Sequence, residues 1–159
     1  MIPWTLLDSA QVPGTGGELR LYQRNNEFSI KIVGRGELMN SRVHGSETAL
    51  AEHTCARLVD CVKPQLLIGG LGMGFTLAAA LQHLSNQAHV IVAELVPAVV
   101  AWNRGPLGDC AGHPLRDPRV TVSEMDVAHM LMAGEQAYDA ILLDVDNGPE
   151  GLTRKENDW

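Results

Sequence analysis

Leu66-Leu67-Ile68-Gly69-Gly70-Leu71-Gly72-Met73-Gly74 is the stretch on which the fold turns. Its opening apolar run reads as a buried strand, and the glycines that follow end that strand in a turn. Glycine accepts positive φ without strain and places no Cβ between backbone and a ligand. Phe75 to Leu84 then reads as an amphipathic helix. The turn therefore joins a strand's carboxyl end to a helix's amino end, where unpaired N–H groups point outward.

Downstream, the strand-then-helix unit recurs. His89-Val90-Ile91-Val92-Ala93 reads as a second strand, and Pro97 fits the first turn of a second helix. Arg119 to Ser123 is a third strand and Asp126 to Met132 a short third helix. Tyr138 to Leu143 is a fourth strand, nearly all apolar, as burial on both faces requires. This alternation predicts an α/β, Rossmann-like, mostly parallel sheet with right-handed crossovers. The chain reaches Trp159 soon after the fourth strand, so the expected sheet is truncated on its C-terminal side or completed by another subunit.

Upstream the pattern changes. Leu19 to Tyr22 and Phe28 to Val33 alternate apolar with polar around Asn25-Asn26, which predicts a small N-terminal β-hairpin broken off at Gly34 and Gly36. Ser46 and Glu47 make a capped, acidic start to a helix running to about Val62, with Leu50, Thr54, Leu58 and Cys61 on its buried face. The expected organisation is an N-terminal β segment over residues 1–45 and a nucleoside-cofactor domain over 46–159.

Composition narrows the function classes. Twelve Lys and Arg against nineteen Asp and Glu leave a formal charge of −7, with no basic cluster to follow a phosphate backbone, so no nucleic-acid partner is expected. The same field attracts small cations. Cys55, Cys61 and Cys110 are odd in number, lack C-x-x-C spacing and follow no leader, which predicts reduced thiols and a cytoplasmic location. Glu94 interrupts the longest apolar candidate, Ala88 to Trp102, so no membrane span is expected. The six histidines lack zinc-type pairing, and no metal is expected. Trp4, Trp102 and Trp159 are too scattered to form a stacking platform.

The candidate site gathers at the strands' carboxyl ends. Glu94, twenty residues after Gly74, sits where a carboxylate accepts hydrogen bonds from both ribose hydroxyls; the alternative is a solvated acid at a strand end. Gly70-x-Gly72-x-Gly74 lacks the third glycine of a dinucleotide fingerprint and the G-K-[ST] of a Walker loop, which favours a sulfonium nucleoside. Asp126 is placed to meet an adenine amino group or to cap the third helix, roles that can coexist. Asp144 and Asp146, in Asp144-Val145-Asp146-Asn147-Gly148-Pro149, follow the fourth strand, where close carboxylates call for a ligand or cation.

These residues resemble the spermidine synthase (polyamine aminopropyltransferase) family, of S-adenosylmethionine-dependent methyltransferase-like fold. Ile68 to Gly74 is similar to the family's Gly-Gly-Gly-Asp-Gly-Gly turn. Ser41 to Glu47 looks like the stretch before its first Rossmann helix, and Tyr138 to Asp144 like the strand bearing its catalytic aspartate. The family's turn acid is replaced by Leu71 or Met73, and its Asp-Ser-Ser-Asp-Pro signature by Asp144 to Pro149. The resemblance implies S-adenosylmethionine or its decarboxylated form as cofactor, held by Gly69, Gly70, Gly72, Gly74, Glu94, Leu95, Met125 and Asp126. It implies Asp144 as the catalytic base, with Glu47, Asp146 and His44 holding a small cationic, putrescine-like amine, and a homodimer. The missing turn acid leaves a methyltransferase open, and a non-catalytic binding or dimerisation module is the reading from another class.

Overall fold

The computed structural model describes residues 1–14, 16–134 and 137–145. These fall into two compact units, Met1–Val43 and His44–Asp144.

The first unit is a four-stranded antiparallel sheet in the order β1-β2-β3-β4, from β1 (Thr5–Gln11), β2 (Glu18–Arg24), β3 (Glu27–Ile32) and β4 (Gly36–Asn40). The expected hairpin is its centre, with Asn25 at φ 54 in the β2–β3 turn. Leu19 opposite Ile32 and Leu21 opposite Ile30 line its buried face. Both edge strands escaped the sequence reading. β1 is exposed along nearly all its length and so carries no in-out alternation. Gly34 and Gly36, expected to break the chain off, instead take positive φ and fold it back into β4.

The second unit is the predicted parallel sheet. Its strands are β5 (Gln65–Gly69), β6 (His89–Ala93), β7 (Val120–Ser123) and β8 (Ala140–Leu143), all parallel and ordered β7-β6-β5-β8. α1 (Gly45–Cys55) precedes the sheet, and α2 (Phe75–His83), α3 (Pro97–Arg104) and α4 (Val127–Ala133) connect its strands. Leu66, Ile68, Val90, Val92 and Leu142 are fully buried on one face. On the other, Val127 and Met130 of α4, together with Tyr138, pack on Leu67, Ile91 and Ala93. Each large side chain so buried contributes roughly 1.5–3 kcal/mol. Arg119 donates to the carbonyls of Leu81, Leu84 and Ser85 at 3.0–3.1 Å, closing the carboxyl end of α2, while Asp117 holds its guanidinium from behind at 2.8 Å.

Two expectations need correction. Among the described residues β8 is an edge strand buried on one face: Leu142 is enclosed, but Ile141 is 45% and Leu143 52% exposed. Its apolar composition therefore does not signal burial on both sides. α1 ends at Cys55 and passes into a short 3₁₀ turn at Ala56–Leu58, and its buried residues are Ala51 and Cys55, not the Leu50 stripe. His44 occupies its N-cap position without a side-chain cap, and Ser46 donates instead to Glu47 at 2.8 Å.

Candidate functional site

The strand order fixes where a site can form. From β5 the chain crosses to β6 on one side, and after β7 it returns to place β8 on the other. The carboxyl ends of β5 and β8 thus flank the point where the strand order reverses, the place at which ligands bind in open α/β sheets. The glycine turn leaves β5 there.

That turn alternates two kinds of residue. Gly70, Gly72 and Gly74 have φ of 92, 55 and 84, while Leu71 and Met73 between them are buried. The glycines supply bends that side-chain-bearing residues adopt only with strain, and the apolar residues anchor the loop. Gly70 N–H donates to the Ala93 carbonyl at 2.8 Å, tying the turn to the tip of β6. Gly69 has a different reason to lack a side chain: a Cβ there would stand 2.9 Å from Val127 and 3.1 Å from Leu143. Its requirement is packing of α4 and β8.

Glu94 is 7% exposed, which overturns the solvated alternative. Its Oε2 accepts from Leu71 N–H at 2.8 Å and its Oε1 from Val96 N–H at 2.9 Å, so it clamps the turn to the start of α3. Burial pushes its pKa up, against the pull of the amides of Val96, Leu71, Gly72 and Leu95. Leu95 lies half-buried beside it.

Asp144 ends β8, and its N–H donates to the Gly69 carbonyl at 2.8 Å, which sets it level with the turn. Its Oδ2 accepts from the Thr76 hydroxyl at 2.7 Å, in the first turn of α2. Desolvation raises its pKa, the Thr76 hydrogen bond opposes this, and the charge of Glu47 raises it further. Much of Asp144 stays open to solvent, so water screens the effect and its direction is what the geometry supports. Glu47 reaches this region because α1 packs along α2 and against β8. His44, just before α1, stacks on Phe75 at the head of α2, with ring centroids 4.1 Å apart and planes 14° apart. The amino ends of α1 and α2 thereby meet beside Asp144, bringing His44, Glu47, Thr76 and Asp144 into one neighbourhood.

Asp126 caps α4, accepting from Ala128 N–H at 2.9 Å, at the tip of β7. Met125 beside it is exposed. Asp126 thus performs the capping role, with β6 and β5 between its strand and β8. Asp146 lies outside the described residues. Among the described residues, no group of three or more His, Cys, Asp or Glu is placed to hold a metal, and no helix is long and apolar enough to cross a membrane.

Two residues absent from the sequence reading support the site. Asn103, 2% exposed on α3, donates through Nδ2 to the Gly72 carbonyl at 2.7 Å and the Val99 carbonyl at 2.9 Å. Thr76, also 2% exposed, is the partner of Asp144. Each had a faint signal, a polar residue on the apolar face of a short helix, without any indication of its partner.

The architecture matches solved structures. A spermidine synthase from Thermotoga maritima aligns with a TM-score of 0.69 at 18% identity, over 87% of this chain and 46% of that one. This is the methyltransferase-like Rossmann fold. A spermidine synthase in complex with the transition-state analogue AdoDATO shares it at the same TM-score and identity, over 87% of this chain and 47% of its own. So does a probable spermidine synthase from Corynebacterium glutamicum ATCC 13032, with a TM-score of 0.55 at 19% identity, over 91% and 52%. The chain thus spans about half the length of the structures whose fold it shares. Neither a protein-family model nor a curated protein matches the sequence.

Proposed function

We propose that the chain binds S-adenosylmethionine or its decarboxylated form at the β5–β8 switch point and serves in aminopropyl transfer to a small cationic amine of putrescine type. The observation that carries this reading is the meeting, at one sheet edge, of a glycine turn held by Glu94 and a carboxylate, Asp144, held by α2. The residues present fit a nucleoside: Glu94 would meet the ribose hydroxyls at the tip of β6 by sharing oxygens that already accept from the turn's amides, and Asp126 would offer an acceptor to an adenine amino group. Likeness to spermidine synthases in fold supports the amine as acceptor.

When bound, the sulfonium supplies an electrophilic carbon and a neutral thioether leaving group, so the new C–N bond forms as the C–S electron pair returns to sulfur. The protein's task is to orient the amine and remove its proton. Asp144 accepts the proton shed by the attacking nitrogen, a task its raised pKa favours. Glu47 attracts the distal ammonium.

Calorimetric titration tests this. Methylthioadenosine should bind measurably and NAD should not, and the decarboxylated cofactor should bind more tightly than the intact one. A second reading, methyl transfer, rests on the burial of Leu71 and Met73, which leaves the turn without an acid for the cofactor's amino end. Preference for the intact cofactor would favour it. Indifference to all ligands would favour a non-catalytic module.

A further inference from the structure

Thr76 and Asp144 stand 68 residues apart, yet the hydroxyl of one meets the carboxylate of the other at 2.7 Å. Thr76 is 2% exposed in a helix that is otherwise apolar from Leu77 to Leu81, so its hydroxyl is held in one place. Asp144, just after β8, is by contrast exposed. Around Asp144 lie the Gly69 carbonyl from β5, which receives its N–H, Glu47 from α1, whose charge repels it, and His44, stacked on Phe75 at the head of α2. An exposed carboxylate beside a like charge is repelled from Glu47, and a donor on its other side opposes that repulsion. Thr76 is that donor.

We propose that Thr76 is the positioning residue of the site: it anchors Oδ2 of Asp144 and so presents the other oxygen, Oδ1, to the nitrogen of an incoming amine. This rests on the reading of Asp144 as the group that meets the amine. The hydroxyl's hydrogen goes to Oδ2, so Thr76 takes no proton from the substrate and itself has no part in bond making.

Three proteins test it: wild type, Thr76→Val, which keeps shape and removes the donor, and Thr76→Ser, which restores the donor. The titration of the Asp144 carboxyl is followed by carbon-13 NMR in ligand-free protein. Loss of the donor should move the midpoint upward by roughly half a pH unit or more, and Ser should return it. With methylthioadenosine present, calorimetry with 1,4-diaminobutane should then show affinity falling several-fold in Thr76→Val, recovering in Thr76→Ser, with methylthioadenosine binding unchanged. An identical midpoint in all three proteins overturns the Thr76–Asp144 link. A shifted midpoint with unchanged diamine affinity overturns the positioning role. Failure of wild type to bind methylthioadenosine removes the functional reading, while the ligand-free titration still decides whether Thr76 governs Asp144.

Discussion

Replacing Glu94 tests the clamp that gives the glycine turn its shape. Its two oxygens satisfy the N–H groups of Leu71 and Val96, both in buried residues, so water has little access to replace the carboxylate. An orphaned buried N–H costs about 1–3 kcal/mol. Glu94→Ala orphans two, roughly 2–6 kcal/mol in all, and relief of the buried charge draws the expected loss toward about 2–4 kcal/mol. That is a large share of the 5–15 kcal/mol or so typical of a domain. Glu94→Gln keeps one acceptor but turns its NH₂ toward the other amide, so it should cost about 1–3 kcal/mol. The carboxyl also sets a pH dependence. Its folded pKa lies above the ordinary 4.5, so from that pH up to the raised value the folded state holds a proton that the unfolded state has released. Stability contributed by this group therefore falls as pH rises through that window and is level beyond it. Asp144 contributes in the same sense from its ordinary 3.8 upward. Denaturant unfolding from pH 4 to 8 should show a declining wild-type midpoint, a shallower decline in Glu94→Gln, and the order wild type, Gln, Ala at pH 7. An Ala variant within about 0.5 kcal/mol of wild type, as at an ordinary surface site, would refute the clamp.

Gly70→Ala forces a Cβ onto a residue with φ of 92 and should cost about 1–3 kcal/mol in thermal unfolding while weakening methylthioadenosine binding in calorimetry. Asn103→Ala should lose about 1–3 kcal/mol because the Gly72 and Val99 carbonyls lose their shared donor. Asn103→Asp should be worse than Ala at neutral pH and recover on acidification, since a charged acceptor would face two carbonyls, and denaturant midpoints at pH 4 and 7 distinguish the two.

The parts of the fold legible in the sequence were those where a local requirement forces a residue type. Gly70, Gly72 and Gly74 announced positive φ, and the apolar runs of β5 and β6 announced central strands. β1 escaped notice because an exposed edge strand has no buried side to write into its alternation. The run of β8 misled because Ile141 and Leu143 look the same whether or not a neighbour covers them. The buried stripe of α1 runs through Ala51 and Cys55, one residue after Leu50 and Thr54, because a helix with little contrast between its faces does not mark which one is buried. Within the site, Glu94 was found from its place at a strand tip, but its bonds to Leu71 and Val96 were not, since they depend on how the turn folds back. Thr76 and Asn103 owe their roles to partners 68 and 31 residues away, a proximity that only the sheet order creates.

The central claim is that a nucleoside sits where the β5 turn and the tips of β6 and β8 meet. Backbone amide shifts of nitrogen-15-labelled protein, followed as methylthioadenosine is added, test it most directly. The largest saturable changes should fall on Gly70–Gly74, Glu94–Val96 and Asp144, with none from NAD at the same concentration. Saturable changes confined to other elements, or no change at any of these amides at millimolar ligand, would contradict it.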